Sequence, residues 1–433
     1  MKGHPPLRVR FARSLAAKAA WALSRFTAAG KLVLLGYGVT IFFVVDTRTT
    51  LNYQIFGLLI ALLLFAVSLG LMRKGSFSLR RMLPRHATVG VPLRYVVQIR
   101  NMGLVETRSL DFNEDIAWSE TDPPRPAARV LPASIDSIPA GEEHNVSMQL
   151  LPLTRGVLEF RTGILGLVDP LGLYKRLLPL PAPEKLVVLP RTYPVPSLDL
   201  RAGRRYQPGG RRTSLSSGDS QEFAGLRDYR PGDPVRHIHW PSFARFGEPK
   251  VKEFQDEYQT RLALVLDTFP WRHLRTWRAP LEGQPAHQDS IQESVFEAAV
   301  SVAASLAAAK RPQDTTLDLL FVADKARQVS AERGRADEHG LLEALAAVTP
   351  CMDKPFDVLE RVVLRHAALV GGVVLVLLAW DDRRRSLVDS LRAAGLTIRT
   401  VLVADPPASA MEGLPPPDAI IRPDHIEQDL AAL

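Results

Sequence analysis

Cysteine is almost absent from this chain of 433 residues, which contains only Cys351. A single cysteine excludes an internal disulfide framework, fits a reducing compartment and cannot provide a recognisable zinc-ligand spacing. The nucleotide-binding loop Gly-x-x-x-x-Gly-Lys-Ser/Thr, the nucleophile elbow Gly-x-Ser-x-Gly and the metalloprotease helix His-Glu-x-x-His are also missing. These absences predict a protein that is not an enzyme and requires no cofactor.

Acidic residues are missing from residues 1–31, where Lys and Arg are frequent. This composition predicts a basic cytoplasmic arm over 1–31. The whole chain has a net charge of +8. Such a balance suits an anionic membrane surface or nucleic acid and does not distinguish between them.

Long uncharged apolar runs occur only near the start, at Leu32–Val45 and Ile55–Met72. The second run would rise about 27 Å as a helix, close to a hydrocarbon core of about 30 Å. A core helix of a soluble domain would need a polar face, which this run lacks. A secretory signal is also disfavoured, because no clear small-residue cleavage site follows the first run. We therefore predict a transmembrane helical hairpin over 32–72.

Positive charge flanks this hairpin on both outer sides, whereas the short loop between its helices carries only Arg48 against Asp46. By the positive-inside rule, the N-terminus and the main domains face the cytoplasm, and the protein is a multi-pass protein of the inner membrane. The lipid bilayer is thus one predicted partner. The basic residues on the exit side are Arg73, Lys74, Arg80, Arg81 and Arg85.

Residues 84–190 show period-two alternation typical of half-buried strands. Tyr95, Val97 and Ile99 alternate with polar residues, and Val146 and Met148 do the same. Strands separated by Pro- and Gly-rich turns predict a small β-sandwich. We expect its acidic, proline-rich insertion at 122–136 to be an exposed loop.

Residues 191–217 are rich in Arg, Gly and Ser without periodicity, which predicts a linker. A nucleic-acid or anionic-ligand strip is an alternative, because arginines bracket Tyr206. Near a bilayer, these arginines more plausibly face anionic lipid or an acidic partner, so no nucleic acid is expected. The arginines are Arg204, Arg205, Arg211 and Arg212.

Residues 261–405 alternate continuous apolar strands with helices, which predicts an α/β doubly wound domain with a mostly parallel sheet. Residues 406–433 are interpreted as a tail. Two strands, Leu262–Leu266 and Val373–Leu378, are followed by Asp267 and Asp381. Both carboxylates should therefore lie at the carboxyl edge of the sheet, where ligands of such folds bind.

The segment 218–260 is the densest in Arg, aromatic and acidic residues. Pro231, Gly232 and Asp233 form a turn signal that predicts an ordered, sharply folded loop. Such loops are frequently binding sites, although an Arg–Asp network that pins the loop is an equally good interpretation. The candidate partner-binding residues, chosen because Arg and Trp anchor interfaces, are Arg227, Asp228, Tyr229, Arg230, Asp233, Arg236 and Trp240.

This segment, 218–260, closely resembles the signature of the bacterial domain-of-unknown-function 58 family, and the turn Asp169–Tyr174 also resembles the family pattern. The resemblance implies a membrane-anchored protein with a von Willebrand A-like domain, often encoded beside MoxR-type AAA+ ATPases. It therefore suggests a non-enzymatic scaffold or adaptor whose protein partner is such an ATPase. The matching residues are Glu222-Phe223, Leu226–Asp233, Arg236, Ile238, Trp240, Ala244-Arg245, Gly247-Glu248 and Val251–Phe254.

A divalent-metal-dependent binding module or enzyme that uses Asp267 and Asp381 is the alternative from another class. Metal-binding von Willebrand A-like domains place Asp-x-Ser-x-Ser after the first strand and a second Asp after a later one, a set of oxygen ligands that suits Mg²⁺. Here Asp267 and Asp381 match, but Phe269 and Trp271 occupy the serine positions. Asp267 would otherwise cap the following turn, while the two aromatic residues pack or form a contact surface. A cluster of Asp233, His237 and His239 is a further acid/base or metal possibility for which no third ligand or nucleophile is identifiable.

Overall fold

The computed structural model describes two compact units, one built mainly from residues 1–191 and the other from most of the chain after them. The residues 1–21, most of the 191–217 linker, and Arg236, His237 and Trp271 lie outside the described part. The described residues are 22–44, 50–116, 127–196, 223–231, 233, 235, 238–254, 260–269, 287–309, 315–323, 325–331, 335–404 and 415–433.

Two apolar helices occupy the predicted hairpin region: α1 (Ala28–Val44) and α2 (Thr50–Met72). In α2, the stretch Tyr53–Met72 is long and apolar enough to cross a membrane. The apolar part of α1, Ala28–Ile41, falls short of that length. One of the two predicted spans therefore has the dimensions that a bilayer requires.

The nine strands described in the first unit form two sheets, of which one has the order β1-β3-β7-β5 and the other β2-β9-β8-β4-β6. All pairings are antiparallel except β2 with β9. The strands are β1 (Phe77–Met82), β2 (His86–Thr88), β3 (Leu93–Asn101), β4 (Thr107–Ile116), β5 (Ala128–Leu131), β6 (Ala133–Ile138), β7 (Glu143–Pro152), β8 (Gly156–Val168) and β9 (Lys175–Leu189).

The predicted alternation holds, because Tyr95, Val97, Ile99, Val146 and Met148 all lie in one buried core with the inward-facing residues of the other strands. The insertion expected to be a loop instead supplies β5 and β6, which pair with β7 and β4. Four prolines interrupt this insertion, and because proline is unfavourable within strands, they hid the strand period.

Arg81, which the charge pattern placed among the membrane-flanking residues, is buried in the sandwich. Its Nε and Nη2 donate to the two carboxylate oxygens of Glu114 at 2.9 and 2.7 Å. The side chains of both residues are fully buried. The basic flank after α2 is therefore smaller than the sequence suggested.

The turn Asp169–Tyr174, between β8 and β9, packs against the two helices. Both carboxylate oxygens of Asp169 accept backbone N–H groups of the turn, from Leu171, Leu173 and Tyr174 at 2.6–2.9 Å. Leu173 and Tyr174 then form a buried cluster with Ala66 of α2. Because one carboxylate sets the shape of the turn, the sandwich and the helices are joined at a defined point.

The second unit contains a six-stranded sheet of order β14-β13-β12-β15-β16-β17, parallel except for β14. The strands are β12 (Thr260–Leu266), β13 (Thr315–Val322), β14 (Ala326–Ala331), β15 (Gly372–Leu377), β16 (Thr397–Val403) and β17 (Ala419–Ile421). The helices are α4 (His287–Ala308), α5 (Arg335–Ala346), α6 (Asp357–His366), α7 (Asp382–Ala393) and α8 (Ile426–Ala431).

The sheet confirms the predicted mostly parallel strand arrangement. It also continues past the predicted boundary at 405, since β17 pairs with β16 and Leu430 of α8 is buried. The first strand of the sandwich likewise begins at Phe77, ahead of the predicted boundary at 84. In the sheet, β15 lies directly beside β12, so Asp267 and Asp381 follow neighbouring strands.

Candidate functional site

The signature segment folds as an antiparallel hairpin of β10 (Phe223–Asp228) and β11 (Lys250–Phe254), with helix α3 (Trp240–Phe246) between the strands. Pro241 occupies the first turn of α3, where its missing N–H costs nothing. Gly247 ends the helix with a φ of 73°, and its N–H donates to the carbonyl of Phe243. The predicted sharply folded loop is thus a compact strand–helix–strand element.

A bidentate ion pair closes the loop that follows β10. Arg227 Nη1 and Nη2 lie 2.7 Å from the two carboxylate oxygens of Asp233, and the backbone N–H of Arg230 donates to the same carboxylate at 2.9 Å. The Arg227 pair and the Arg230 amide lower the pKa of Asp233 from 3.8 to about 2. Asp233 is therefore ionised at neutral pH, and the pair acts within the loop itself.

The remaining candidate residues have different roles. Asp228 forms an ion pair with Lys250, its partner in the strand register. Tyr229 is half-buried, and its N–H donates to the carbonyl of Pro249 at 3.0 Å. Arg230 is exposed. The structure thus brings Arg227, Arg230 and Asp233 together as one loop, while Arg236 lies outside the described residues.

Helix α3 presents three aromatic side chains to solvent. The exposed fractions of Trp240, Phe243 and Phe246 are 55%, 40% and 65%. The residues are three positions apart and so lie along one side of the helix, and the Trp240 and Phe243 rings meet edge to face at 6.1 Å. We call these three residues the aromatic face. Phe243 and Phe246 were missed in the sequence, although their spacing from Trp240 could have indicated them.

At the edge of the parallel sheet, Asp267 and Asp381 are joined through Arg384. Arg384 Nε lies 2.6 Å from Asp267 Oδ2, and its Nη1 lies 2.5 Å from Asp381 Oδ2. The remaining nitrogen, Nη2, donates to the carbonyl of Phe269 at 2.7 Å. Burial acts to lower the pKa of Arg384, but the two carboxylates outweigh it and hold the pKa above its ordinary value.

Backbone N–H groups also donate hydrogen bonds to the Asp267 carboxylate. Its Oδ1 accepts the N–H of Phe269 at 2.9 Å, and its Oδ2 also accepts the N–H of Leu378 at 3.2 Å. Phe269 is buried against Phe356, with ring centroids 5.7 Å apart. Asp267 thus caps its own turn and Phe269 packs in the core, which is the structural interpretation given to these residues from the sequence.

The same geometry does not fit the metal site implied by von Willebrand A-like domains. A guanidinium already bridges the two carboxylates that a divalent cation would have to share, and a buried aromatic residue stands at the first serine position. Within the described residues, no group of three His, Cys, Asp or Glu side chains could hold a metal ion. His239, from the predicted histidine cluster, instead contacts Ser242, with its Nδ1 2.6 Å from Oγ.

A second buried polar cluster in this unit was not foreseen. Asp318 of β13 lies fully buried, 2.6 Å from His366 Nε2 and 2.8 Å from Arg261 Nε. Burial acts to raise the pKa of Asp318, but the hydrogen bond from His366 and the other partners hold it below its ordinary value. The cluster ties α6 to β12 and β13, and we assign it a structural role.

Several solved structures resemble short parts of the chain. The CARDB domain of the PF1109 protein from Pyrococcus furiosus is 14% identical, with 27% of this chain and 89% of that domain covered and a TM-score of 0.19. Alpha-2-macroglobulin from Escherichia coli is 16% identical over 28% of this chain and 7% of its own, with a TM-score of 0.20. A PapD-like domain of human CEP192 is 15% identical over 26% of this chain and 82% of that domain, with a TM-score of 0.18. Scores this low carry no argument about fold or function.

No curated protein matches the chain significantly. The family described as "Protein of unknown function DUF58" matches residues 225–411, a range that contains most of the hairpin, the aromatic face, Asp267 and Arg384. This match confirms the resemblance seen in the signature segment. It supports assignment of residues 225–411 to the DUF58 family.

Proposed function

We propose that the protein is a membrane-anchored, non-enzymatic adaptor of the bacterial inner membrane that presents its second unit to a protein partner. The aromatic face of α3 carries this proposal. Exposed aromatic residues that lie together on an ordered element mark protein-binding surfaces, since Trp in particular concentrates binding energy. The family resemblance suggests a MoxR-type AAA+ ATPase as the partner.

Two ion pairs and a helix cap hold the hairpin that carries this surface in an ordered shape. The Arg227–Asp233 pair, the Asp228–Lys250 pair and the Gly247 cap all lie within the hairpin. A preformed surface loses little conformational entropy when a partner binds. Arg230 remains exposed on the same loop and would supply a charged contact at the rim.

The order of the six-stranded sheet supports a von Willebrand A-like fold for the second unit. Numbered within this sheet, the strand order is 3-2-1-4-5-6 with the third strand antiparallel. We propose that this domain acts as a docking module without a metal, because Arg384 supplies the positive charge between Asp267 and Asp381.

Membrane attachment would come from α2 and, as a second span, from α1. The stretch Tyr53–Met72 has the required length and composition. Lys31 would lengthen the shorter helix by placing its charged end in the interface while its aliphatic part stays in the apolar region. The sandwich and the second unit would then lie on the cytoplasmic side.

Crosslinking and pull-down from membranes tests the adaptor role. We expect the wild-type chain to recover a MoxR-type ATPase and Trp240→Ala to lose it, because truncation of an aromatic anchor costs about 2 kcal/mol or more, roughly a 30-fold weaker Kd. Arg230→Ala should weaken recovery in the same direction. Leu369→Ala, which shortens an apolar side chain of similar exposure in the same unit, is the matched control and should recover the ATPase fully.

Two outcomes would count against the proposal. Equal recovery with wild type and Trp240→Ala would remove the aromatic face from the interface. Loss of the melting transition in Trp240→Ala would show that the residue supports the fold instead. Retained melting with lost recovery is the expected result.

A further inference from the structure

The loop between β3 and β4 carries three exposed apolar side chains. The exposed fractions of Met102, Leu104 and Val105 are 57%, 96% and 74%. We call residues 102–105 the apolar loop. Exposed apolar residues that lie together, unlike ones scattered singly, mark interaction surfaces.

This loop has a fixed shape. Asn101, which is buried, accepts the N–H of Gly103 at 2.9 Å and donates to the carbonyls of Val105 and Ile138 at 2.9 and 3.1 Å. The backbone N–H of Asn101 also donates to the carbonyl of Glu142. The buried side-chain amide of Asn101 therefore holds the backbone of the loop in a conformation that directs its apolar side chains outward.

The loop lies at the end of the sandwich where α2 leaves the proposed bilayer. The N–H of Met102 donates to the carbonyl of Ser76 at 2.7 Å, and Asn101 pairs with Phe77 in the strand register. Ser76 is four residues beyond Met72, where α2 ends. Four residues span at most about 14 Å, which places the loop beside the interfacial layer of the membrane.

Basic side chains lie near the apolar loop and the end of α2. Arg73 Nη2 donates to the carbonyl of Arg108 at 2.7 Å, and Arg176 Nη1 donates to the last carbonyls of the α2 exit, at Leu71 and Arg73. Arg108 itself is 72% exposed, where it pairs with Glu106. Arginines next to an exposed apolar tip suit a surface of anionic headgroups over acyl chains.

We infer that the apolar loop inserts into the interfacial layer of the cytoplasmic leaflet, as a membrane contact in addition to the helices. The inference rests on the proposed membrane anchoring. It follows from the continuity of the loop with the α2 exit, because the bilayer is the apolar phase that this end of the sandwich would meet. Insertion at this point would hold the sandwich against the membrane surface in one orientation.

Depth-dependent fluorescence quenching in the reconstituted full chain tests the inference. In a Cys351→Ala background, single cysteines replace Leu104, Phe65 or Val91 and carry an environment-sensitive probe, in vesicles of phosphatidylglycerol and phosphatidylcholine with brominated acyl chains. Phe65 lies on α2, with 56% exposure, and reports the helix. Val91, with 51% exposure, precedes β3 at its opposite end and is the matched control.

We expect quenching at Leu104 and Phe65 but not at Val91. Quenching at Phe65 without quenching at Leu104 would contradict insertion of the apolar loop and leave the proposed membrane anchor supported. The absence of quenching at Phe65 would overturn both proposals. Val105→Cys provides a second probe on the loop, and an unquenched probe at both loop positions would exclude a local distortion by the Leu104 label.

Discussion

At the scale of single residues, Arg384 determines what the sheet edge can do. Its side chain is 4% exposed and contacts both carboxylates of the expected ligand set. Its guanidinium carbon also lies 4.9 Å from the centre of the Phe356 ring. Because the Arg384 guanidinium is permanently charged and makes several hydrogen bonds, it gives this edge of the sheet a structural role.

Replacement of Arg384 by Met should destabilise the second unit by about 3–5 kcal/mol, because removal of one partner leaves a buried, unpaired carboxylate. Thermal unfolding of the full chain, followed by near-ultraviolet circular dichroism, measures this change. Arg383→Met is the matched control, since Arg383 is 69% exposed and lies 4.0 Å from Asp357. That exposed substitution should change stability by no more than about 0.5 kcal/mol, and an equal effect of the two variants would contradict the assignment.

The sequence placed Asp267 and Asp381 at one edge of the sheet, because the ends of parallel strands could be located from their apolar runs. It did not indicate their partner. Arg384 is the middle residue of three consecutive arginines, and only the phase of α7 decides which one points inward. A charge run on a helix is normally solvated, so burial of one member depends on the tertiary structure.

At the scale of elements, the contact of the Asp169–Tyr174 turn with the helices depends on glycine. A Cβ at Gly30 of α1 would overlap the carbonyl oxygen of Leu173, and one at Gly70 of α2 would overlap the Tyr174 ring. Thr27 adds two contacts, from its N–H to the carbonyl of Leu173 at 3.0 Å and from its hydroxyl to that of Gly172 at 2.5 Å. Close approach of this kind fixes the position of the sandwich relative to the two helices.

We expect Gly30→Ala to separate the turn from α1 and to lower the stability of the reconstituted chain by about 1–3 kcal/mol, the usual effect of forcing a methyl group into a packed site. The midpoint of thermal unfolding in vesicles measures this loss. Gly36→Ala, in the same helix with open space around it, is the control and should leave the midpoint unchanged or raise it slightly. A Gly30 variant as stable as the Gly36 variant would show that close packing of the turn against α1 does not contribute to stability.

Short elements were the hardest to predict. β14 and β17 have six and three residues, and β14 exposes most of its side chains. Edge strands of this kind carry neither a continuous apolar run nor a strict alternation, so only pairing with a neighbour defines them. The buried strands β12 and β15 were predicted well because both faces of the sheet are covered, which makes their apolar runs continuous.

At the scale of the whole molecule, the distribution of charge determines the proposed orientation. Burial of Arg81 removes one charge from the exit flank, but Arg73, Lys74 and the basic arm remain, and the connecting loop has no net charge. Arg73 and Arg176 also bind the exit of α2 to the sandwich. In the proposed arrangement, this charge bias would place the sandwich and the second unit in the cytoplasm.

Labelling of single cysteines in spheroplasts tests this orientation. In the Cys351→Ala background, Asp424→Cys places a thiol at an exposed position near the end of the second unit, and Thr47→Cys places one between the two proposed spans. We expect a membrane-impermeant maleimide to label Thr47→Cys in intact spheroplasts and Asp424→Cys only after lysis, because the positive flanks hold both outer ends of the hairpin inside. Labelling of both before lysis would place Thr47 and Asp424 on the same, outer side of the membrane, so that α2 could not be its span and the second unit would face outward. An ATPase of the cytoplasm could not then be the partner.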